Sequence, residues 1–454
     1  MTPVVERSTV HYGARLADFM RALIFDKSKT KWDESTGFEL AQVPMPKVES
    51  DTDVMIKVHY AGVCGSDKGI WYRQAFKEQI LGSLESEFHP HPTSPLKGEE
   101  NAGKSGAIPS PRGGGQGRGE NTYRIIGHEF FGEVVEVGRG VKGIKKGDFV
   151  ACESHVVCNQ CYQCLRGQKE VCTNEKILGI SHDGGFAEYV RVPAHIVWKT
   201  NTAKIRPEVA AMQEPFGNAV HAASKVDLKD KTVAIFGLGP IGLFLLLIAR
   251  ARGAKSIIGV EPNPISINMA KKLGIDYVIP LKTHPHPTSP LKGEENAEKP
   301  GIIPSPRGGG QGRGEMYSHN PEITDEIMNI TKGVGVDVSF EMSGFNSSVN
   351  NCLFATRRGG EIILFGIKSG DFVIENYNRL IVHGFTMHAV IGRQIWRTWE
   401  MTRALLEDPK NQIQEKLYNV ILDQGQGTIL PIGEYTKERF ENMINNHPKF
   451  LIQM

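Results

Sequence analysis

The sequence predicts an α/β chain in two parts, a β-rich first part followed by a doubly wound parallel sheet. Three observations predict this. Through about residue 210, short β-branched and aromatic runs such as DVMIKVHYAGV, GEVVEVG and FAEYVRVPAHIVW are divided by glycines. From about residue 230, strand-like and helix-like segments alternate: TVAIFG, IGLFLLLIARARGA, SIIGVE, ISINMAKKLG, DYVI, VDVSFEMSG, EIILFGI, FTMHAVIG. Between the first of these strands and its helix lies a GxGxxG turn, the context in which that motif cradles a dinucleotide.

Bulk composition bounds the function. At 454 residues and 40% hydrophobic content, the chain has material for two to three domains. With 53 basic and 51 acidic side chains the formal charge is +2, so no overall field favours nucleic acid, and a small-molecule partner is expected. The richest apolar run, IGLFLLLIA, is about half of the roughly 20 residues a bilayer span needs, so no membrane association is expected. MTPVVERSTVHYGARLADF lacks the apolar core and cleavage site of a secretory signal. A cytoplasmic location follows, where cysteines stay reduced and a tight cysteine cluster points to metal before disulfides.

Two stretches are near copies. HPHPTSPLKGEENAGKSGAIPSPRGGGQGRGE begins at residue 89, and HPHPTSPLKGEENAEKPGIIPSPRGGGQGRGE begins at residue 284. Rich in Pro and Gly and poor in large apolar residues, they cannot offset the entropy of ordering, and they lie too far apart to stack as a solenoid. Both are read as disordered surface insertions, 89–120 and 284–315. No strand precedes their glycine runs as a phosphate loop requires, so no catalytic role is assigned to them.

The turn after TVAIF places Gly237 for the tight bend, Gly239 for backbone approach to a pyrophosphate and Gly242 for close packing of helix on strand. The helix N-terminus then faces the phosphates with unpaired N–H groups. Glu261 ends the second strand, where a carboxylate accepts ribose hydroxyls and repels a 2′-phosphate; the bland alternative is a surface acid at a strand end. No Arg or Lys occurs in the following PNPISIN, which favours NAD over NADP.

Cys158, Cys161, Cys164 and Cys172 form C-x2-C-x2-C-x7-C, four thiolates that one loop can gather around a structural zinc. Disulfides and a nucleic-acid-binding zinc ribbon are the competing readings. Cys64 in AGVCGSDKG and His128–Glu129 in IIGHEFFGEVVEVG carry the sulfur, imidazole and carboxylate of an open catalytic zinc site. Taken from the residues alone, a shared site and separate buried roles remain open alternatives.

Gly127, His128, Glu129, Gly132 and Gly138, together with the four-cysteine lobe and the later glycine turn, resemble the zinc-dependent medium-chain alcohol dehydrogenases. The resemblance runs from Met20 in MRALIF to residue 454, so residues 1–19 are expected to be an extension. It implies a GroES-like β-rich catalytic domain over 20–212 and a Rossmann domain over 213–391, with 392–454 returning to the catalytic domain. Within the family, EPFGNAVHAA, VDVSFEMSG and IGRQIWRTW are similar to segments of threonine dehydrogenases and their polyol-dehydrogenase relatives.

From the resemblance come the site assignments. Cys64, His128 and Glu129 fall on the ligands of a catalytic zinc, and the cysteine lobe on a structural zinc, two per chain. Glu214 matches an acid near that metal, as a further ligand or in proton relay, Ser66 the hydroxyl that relays the alcohol proton, and His155 a histidine of substrate recognition. Ile241, Glu261, Phe365, Gly366, Ile367, Val390 and Ile391 match positions that contact NAD. The resemblance further implies oxidation of a secondary alcohol, with a polyol or sugar as the alternative to a threonine-type substrate, and a homodimer or homotetramer. A non-catalytic zinc- and NAD-binding protein is the reading from another class. Two positions depart from the family pattern: Gly69 stands where a relay histidine is common, and Ser266 where an arginine often follows the ribose-binding acid.

Overall fold

The computed structural model describes residues 18–85, 122–281, 318–367 and 372–454; the copies at 89–120 and 284–315, and most of 1–19, lie outside the described residues. The first part is built on the strand Asp53–Gly62, whose apolar residues are mostly buried. It pairs antiparallel with Glu129–Val137, from Val54 opposite Val137 to Gly62 opposite Glu129, with two register shifts on the way. This pairing positions the site. Cys64 leaves one strand just beyond Gly62 as His128 enters the other, so residues more than sixty positions apart meet at one sheet end.

The apolar run YRIIGHEFFGEVVEVG forms two strands. Tyr123–Ile125 joins a three-stranded sheet with Phe19–Asp26, and Glu129–Val137 joins the larger one. The break falls at Gly127, whose φ of +90° suits glycine and where a Cβ would run into the Phe186 ring. An apolar run shows no periodicity break at such a hinge, so the sequence pattern concealed it.

The C-terminal segment completes the β-rich part. Leu451–Gln453 pairs antiparallel with Tyr60–Gly62 and parallel with Ile429–Pro431. On the way there, helix Arg397–Glu407 packs against helix Gln213–Ala223, and Leu406, Ile413 and Leu417 join the same apolar core as Val233, Ile235 and Leu243. That core also takes in Phe131 and Leu451, so the β-rich part and the nucleotide-binding part share it.

Among the described residues, six parallel strands form the second sheet, in the order Tyr277–Pro280, Ser256–Glu261, Thr232–Phe236, Val336–Glu341, Thr356–Leu364, Thr386–Ala389. The order reverses direction at Thr232–Phe236, which places the crevice at its carboxyl end. Helix Pro240–Ala251 follows, with an unbroken buried run from Gly242 to Ala249, so it is sequestered on nearly every side. No helix among the described residues is long and apolar enough to cross a membrane.

Candidate active site

At the sheet end the Cys64 Sγ, a His128 ring nitrogen and a Glu129 carboxylate oxygen lie within 4.8 Å of one another. Cys64 caps helix Gly65–Trp71, and its backbone N–H donates to Asp67 Oδ2 at 2.8 Å. Asp67 is thereby turned toward His128, with Oδ1 3.6 Å from Nδ1. On the other ring edge, Ser66 Oγ lies 3.4 Å from His128 Nε2. Lys449, buried, pairs with Glu129 Oε2 and donates to the Val63 carbonyl at 3.0 Å.

Three buried polar atoms here have no hydrogen-bond partner among the described residues: Glu129 Oε1, His128 Nδ1 and Asp67 Oδ1. Such orphans are costly, and their concentration beside a cysteine sulfur is the chemistry of a metal site. The donor set of soft sulfur, imidazole and one free carboxylate oxygen fits zinc, with Asp67 behind the histidine as the supporting carboxylate. Burial pushes the Asp67 carboxyl up to about 6, with the His128 charge pulling the other way. Burial disfavours the His128 imidazolium, but the negative charges of Asp67 and Cys64 outweigh it and raise its pKa well above the ordinary value.

The four lobe cysteines are all free thiols, gathered with their sulfurs within 4.8 Å of one another. Backbone N–H groups turn inward onto them, Cys161 donating to Cys158 Sγ at 3.3 Å and Cys158 to Cys172 Sγ at 3.4 Å. Hydrogen bonds from the backbone favour thiolate, and Cys161 is held down at about 5 chiefly by the Cys164 backbone. Four sulfurs in one shell fit a closed zinc site.

On the nucleotide side, Gly237 has φ +99°, and a Cβ on Gly242 would strike the Gly237 carbonyl. Gly239 differs: nothing stands within 4 Å of where its Cβ would be, which leaves room for a phosphate at the first turn of the helix. Ile241, half-buried, lies on that turn. Glu261 accepts from the Leu238 N–H at 2.6 Å and the Asn263 N–H at 2.8 Å, which ties the glycine turn to the second strand, and burial raises its pKa. Phe365 and Gly366 donate their N–H groups to the Glu341 carbonyl, and Ile367 is 84% exposed. Val390 is buried and Ile391 exposed, just past the end of Thr386–Ala389. All five lie at the carboxyl ends of their strands.

A cavity of about 250 Å³ joins the two halves, lined among others by Cys64 and Lys68 on one side and Gly239, Glu261 and Ser266 on the other. Residues 105–202 match the family model of the alcohol dehydrogenase GroES-like domain, and residues 314–408 that of zinc-binding dehydrogenases. L-threonine 3-dehydrogenase of Pyrococcus furiosus is 35% identical over 377 residues, spanning 83% of this chain and 86% of that one.

The chain belongs to the zinc-binding alcohol dehydrogenases. L-threonine 3-dehydrogenase of Symbiobacterium thermophilum is 31% identical over 86% of this chain and 87% of its own. In fold, the chain is similar to alcohol dehydrogenase TADH from Thermus sp. ATN1, with TM-score 0.67 at 21% identity over 96% and 99% of the two chains. This alcohol dehydrogenase is thus an oxidoreductase of the threonine-dehydrogenase-like kind that combines zinc with a nicotinamide dinucleotide.

Beside the Cys64–His128–Glu129 cluster of this alcohol dehydrogenase lies a network that the sequence did not disclose. Arg393, 2% exposed, pairs with Glu153, lies 2.9 Å from Glu214 Oε1 and donates to Asn218 Oδ1 at 2.8 Å. Ser154 Oγ donates to the same Glu214 oxygen at 2.6 Å, and Trp399 Nε1 to Glu153 Oε2 at 2.8 Å. Glu214 is thereby fixed outside the three-ligand cluster, near enough for its charge to raise the His128 pKa. His155 binds Glu175 Oε2 through Nδ1 at 2.6 Å, and no hydrogen bond joins it to Ser66 among the described residues. The run IGRQIWRTW sets Arg393 among aromatics, but nothing in it points to a partner 240 positions away.

Proposed function

We propose that this dehydrogenase oxidises a β-hydroxy amino acid of the L-threonine type at its secondary alcohol, with NAD and two zinc ions per chain. The observation that carries the reading is the cavity that runs from Glu261 to Cys64, which sets a sulfur–imidazole–carboxylate cluster opposite a dinucleotide turn. Zinc held by Cys64, His128 and Glu129 would supply the Lewis acidity that lowers an alcohol's pKa, and NAD the acceptor for its hydride. Hydride loss and proton loss together give the 3-keto product, NADH and one proton.

The side chains divide that work. Asp67 orients His128 from behind, and Lys449 holds one Glu129 oxygen so that the other points into the cluster. Ser66, 3.4 Å from His128 Nε2, takes the alcohol proton and hands it to water in the cleft, because Gly69 offers no side chain to continue the relay. Glu214, fixed by Arg393 and Ser154, keeps negative charge near the metal. His155, held by Glu175, is assigned to recognition of the substrate carboxylate. The Glu261 carboxylate excludes a 2′-phosphate, and Gly237, Gly239 and Gly242 shape the pyrophosphate turn. Ile241, Phe365, Gly366, Ile367, Val390 and Ile391 border the nicotinamide half.

NADH formation measured across L-threonine, 2,3-butanediol, sorbitol and inositol, each with NAD and with NADP, tests this. L-Threonine with NAD is expected to give the highest kcat/KM. Turnover of a polyol without turnover of L-threonine would replace the substrate assignment.

We further propose a homodimer through the open edge at Thr386–Ala389. Among the described residues that strand pairs only with Thr356–Leu364, and the preceding helix Tyr377–His383 exposes Tyr377, Ile381 and Val382. An unpaired edge beside exposed apolar side chains is a surface that self-association covers. Light scattering should give a dimer for the parent chain and a monomer for Ile381→Glu with Val382→Glu; an unchanged mass would remove this edge as the interface.

A further inference from the structure

The cavity shared by the two halves has chemically unequal walls. Its nucleotide wall offers the first turn of a twelve-residue helix, at Gly239 and Pro240, together with Glu261, Asn263 and Ser266. None of these side chains is basic, although a dinucleotide brings two phosphate charges into the space. The opposite wall is supplied by the helix Gly65–Trp71 that starts at Cys64, and by residues 444–450.

We propose that Lys68 is the cation with which the catalytic half grips the phosphates of the cofactor; this rests on the assignment of the cavity to a nicotinamide dinucleotide. Lys68 lines the cavity and is exposed. It forms no ion pair among the described residues; its hydrogen bond goes to the neutral Asn445 Oδ1, at 3.4 Å. The other basic groups nearby do not compete. Lys449 is buried and taken by Glu129 and the Val63 carbonyl, and His447, which lines the cavity, has its pKa lowered by burial and stays neutral near pH 7.

An ammonium with no ion-pair partner among the described residues, lining the same cavity as a helix N-terminus, matches a diphosphate held there by N–H groups and a point charge. Lys68 lies one helical turn from the metal ligand Cys64. Contact with the phosphates therefore bears on the same short helix that presents the metal cluster.

NADH binding, followed by nicotinamide fluorescence on the full chain, tests the proposal without turnover. Lys68→Met should weaken NADH about tenfold, the usual value of one charge-assisted hydrogen bond, and flatten the loss of affinity with added salt. ADP-ribose, which keeps both phosphates and lacks the nicotinamide, should weaken by a similar factor, and Lys68→Arg should restore most of the binding. The KM for NAD should rise with little change in kcat. Unchanged NADH affinity in Lys68→Met would overturn the role of Lys68, as would a lowered melting temperature with intact affinity, which would make the Lys68–Asn445 contact structural. A parent chain that binds no NADH would instead overturn the cofactor assignment itself.

Discussion

Cys64→Ser is expected to lower turnover by about a thousandfold or more, since a Lewis-acid metal supplies several kcal/mol to the transition state. Serine is a poor zinc ligand at neutral pH but a good helix N-cap, so the change removes the soft donor and keeps the local fold. The cap is visible in the structure: Asp67 accepts the Cys64 N–H, a bond independent of the side chain at 64. Metal analysis should therefore show a loss of one zinc per chain, with the ion at Cys158, Cys161, Cys164 and Cys172 retained and the melting temperature little altered. Full metal content and undiminished turnover in the variant would show that Cys64, His128 and Glu129 do not form the catalytic centre.

Arg393→Met should be the most destabilising single change outside the metal ligands, at about 3–5 kcal/mol, because breaking a buried pair strands its partner's charge. Two carboxylates are stranded here, Glu153 and Glu214, both buried. Burial alone would raise the Glu153 pKa, but Arg393 overcomes it and holds the group below the usual carboxylate range. A lowered folded pKa means stability that is present above the unfolded value and lost as pH falls through the folded one. The parent chain should thus keep this contribution into mildly acidic solution. In Arg393→Met the sign reverses: Glu153 rises, and the variant gains stability relative to the parent as pH falls. Pairing Arg393→Met with Glu153→Gln in a double-mutant cycle should recover part of the loss, whereas simple additivity would mean that the two groups are not coupled. Turnover should fall as well, since Glu214 loses its anchor.

Local patterns made much of this molecule legible. The six parallel strands and the glycine turn at 237–242 follow from alternation and spacing, and the four cysteines lie close enough in sequence for one loop to gather them. The Cys64 cluster needed more than pattern, because its formation depends on the register that sets Gly62 opposite Glu129. Long-range partners left no local trace: Lys449 beneath Glu129, and Arg393 between Glu153 and Glu214, are separated from their partners by the whole nucleotide-binding segment or most of it. The hinge at Gly127 was hidden for another reason, since buried strands on both sides of it are equally apolar.

Leu451–Gln453 lies between Asp53–Gly62 and Ile429–Pro431, and Lys449 reaches Glu129 from the start of that strand. The catalytic half is consequently not a free-standing piece of sequence. Residues 20–212 by themselves would present an open edge along Tyr60–Gly62 and a buried carboxylate without its counter-charge. In the chain, the nucleotide-binding segment lies between the two stretches that build the Cys64–His128–Glu129 cluster and its Lys449 support. A chain lacking the final segment would leave Glu129 without Lys449 and the edge at Tyr60–Gly62 unpaired.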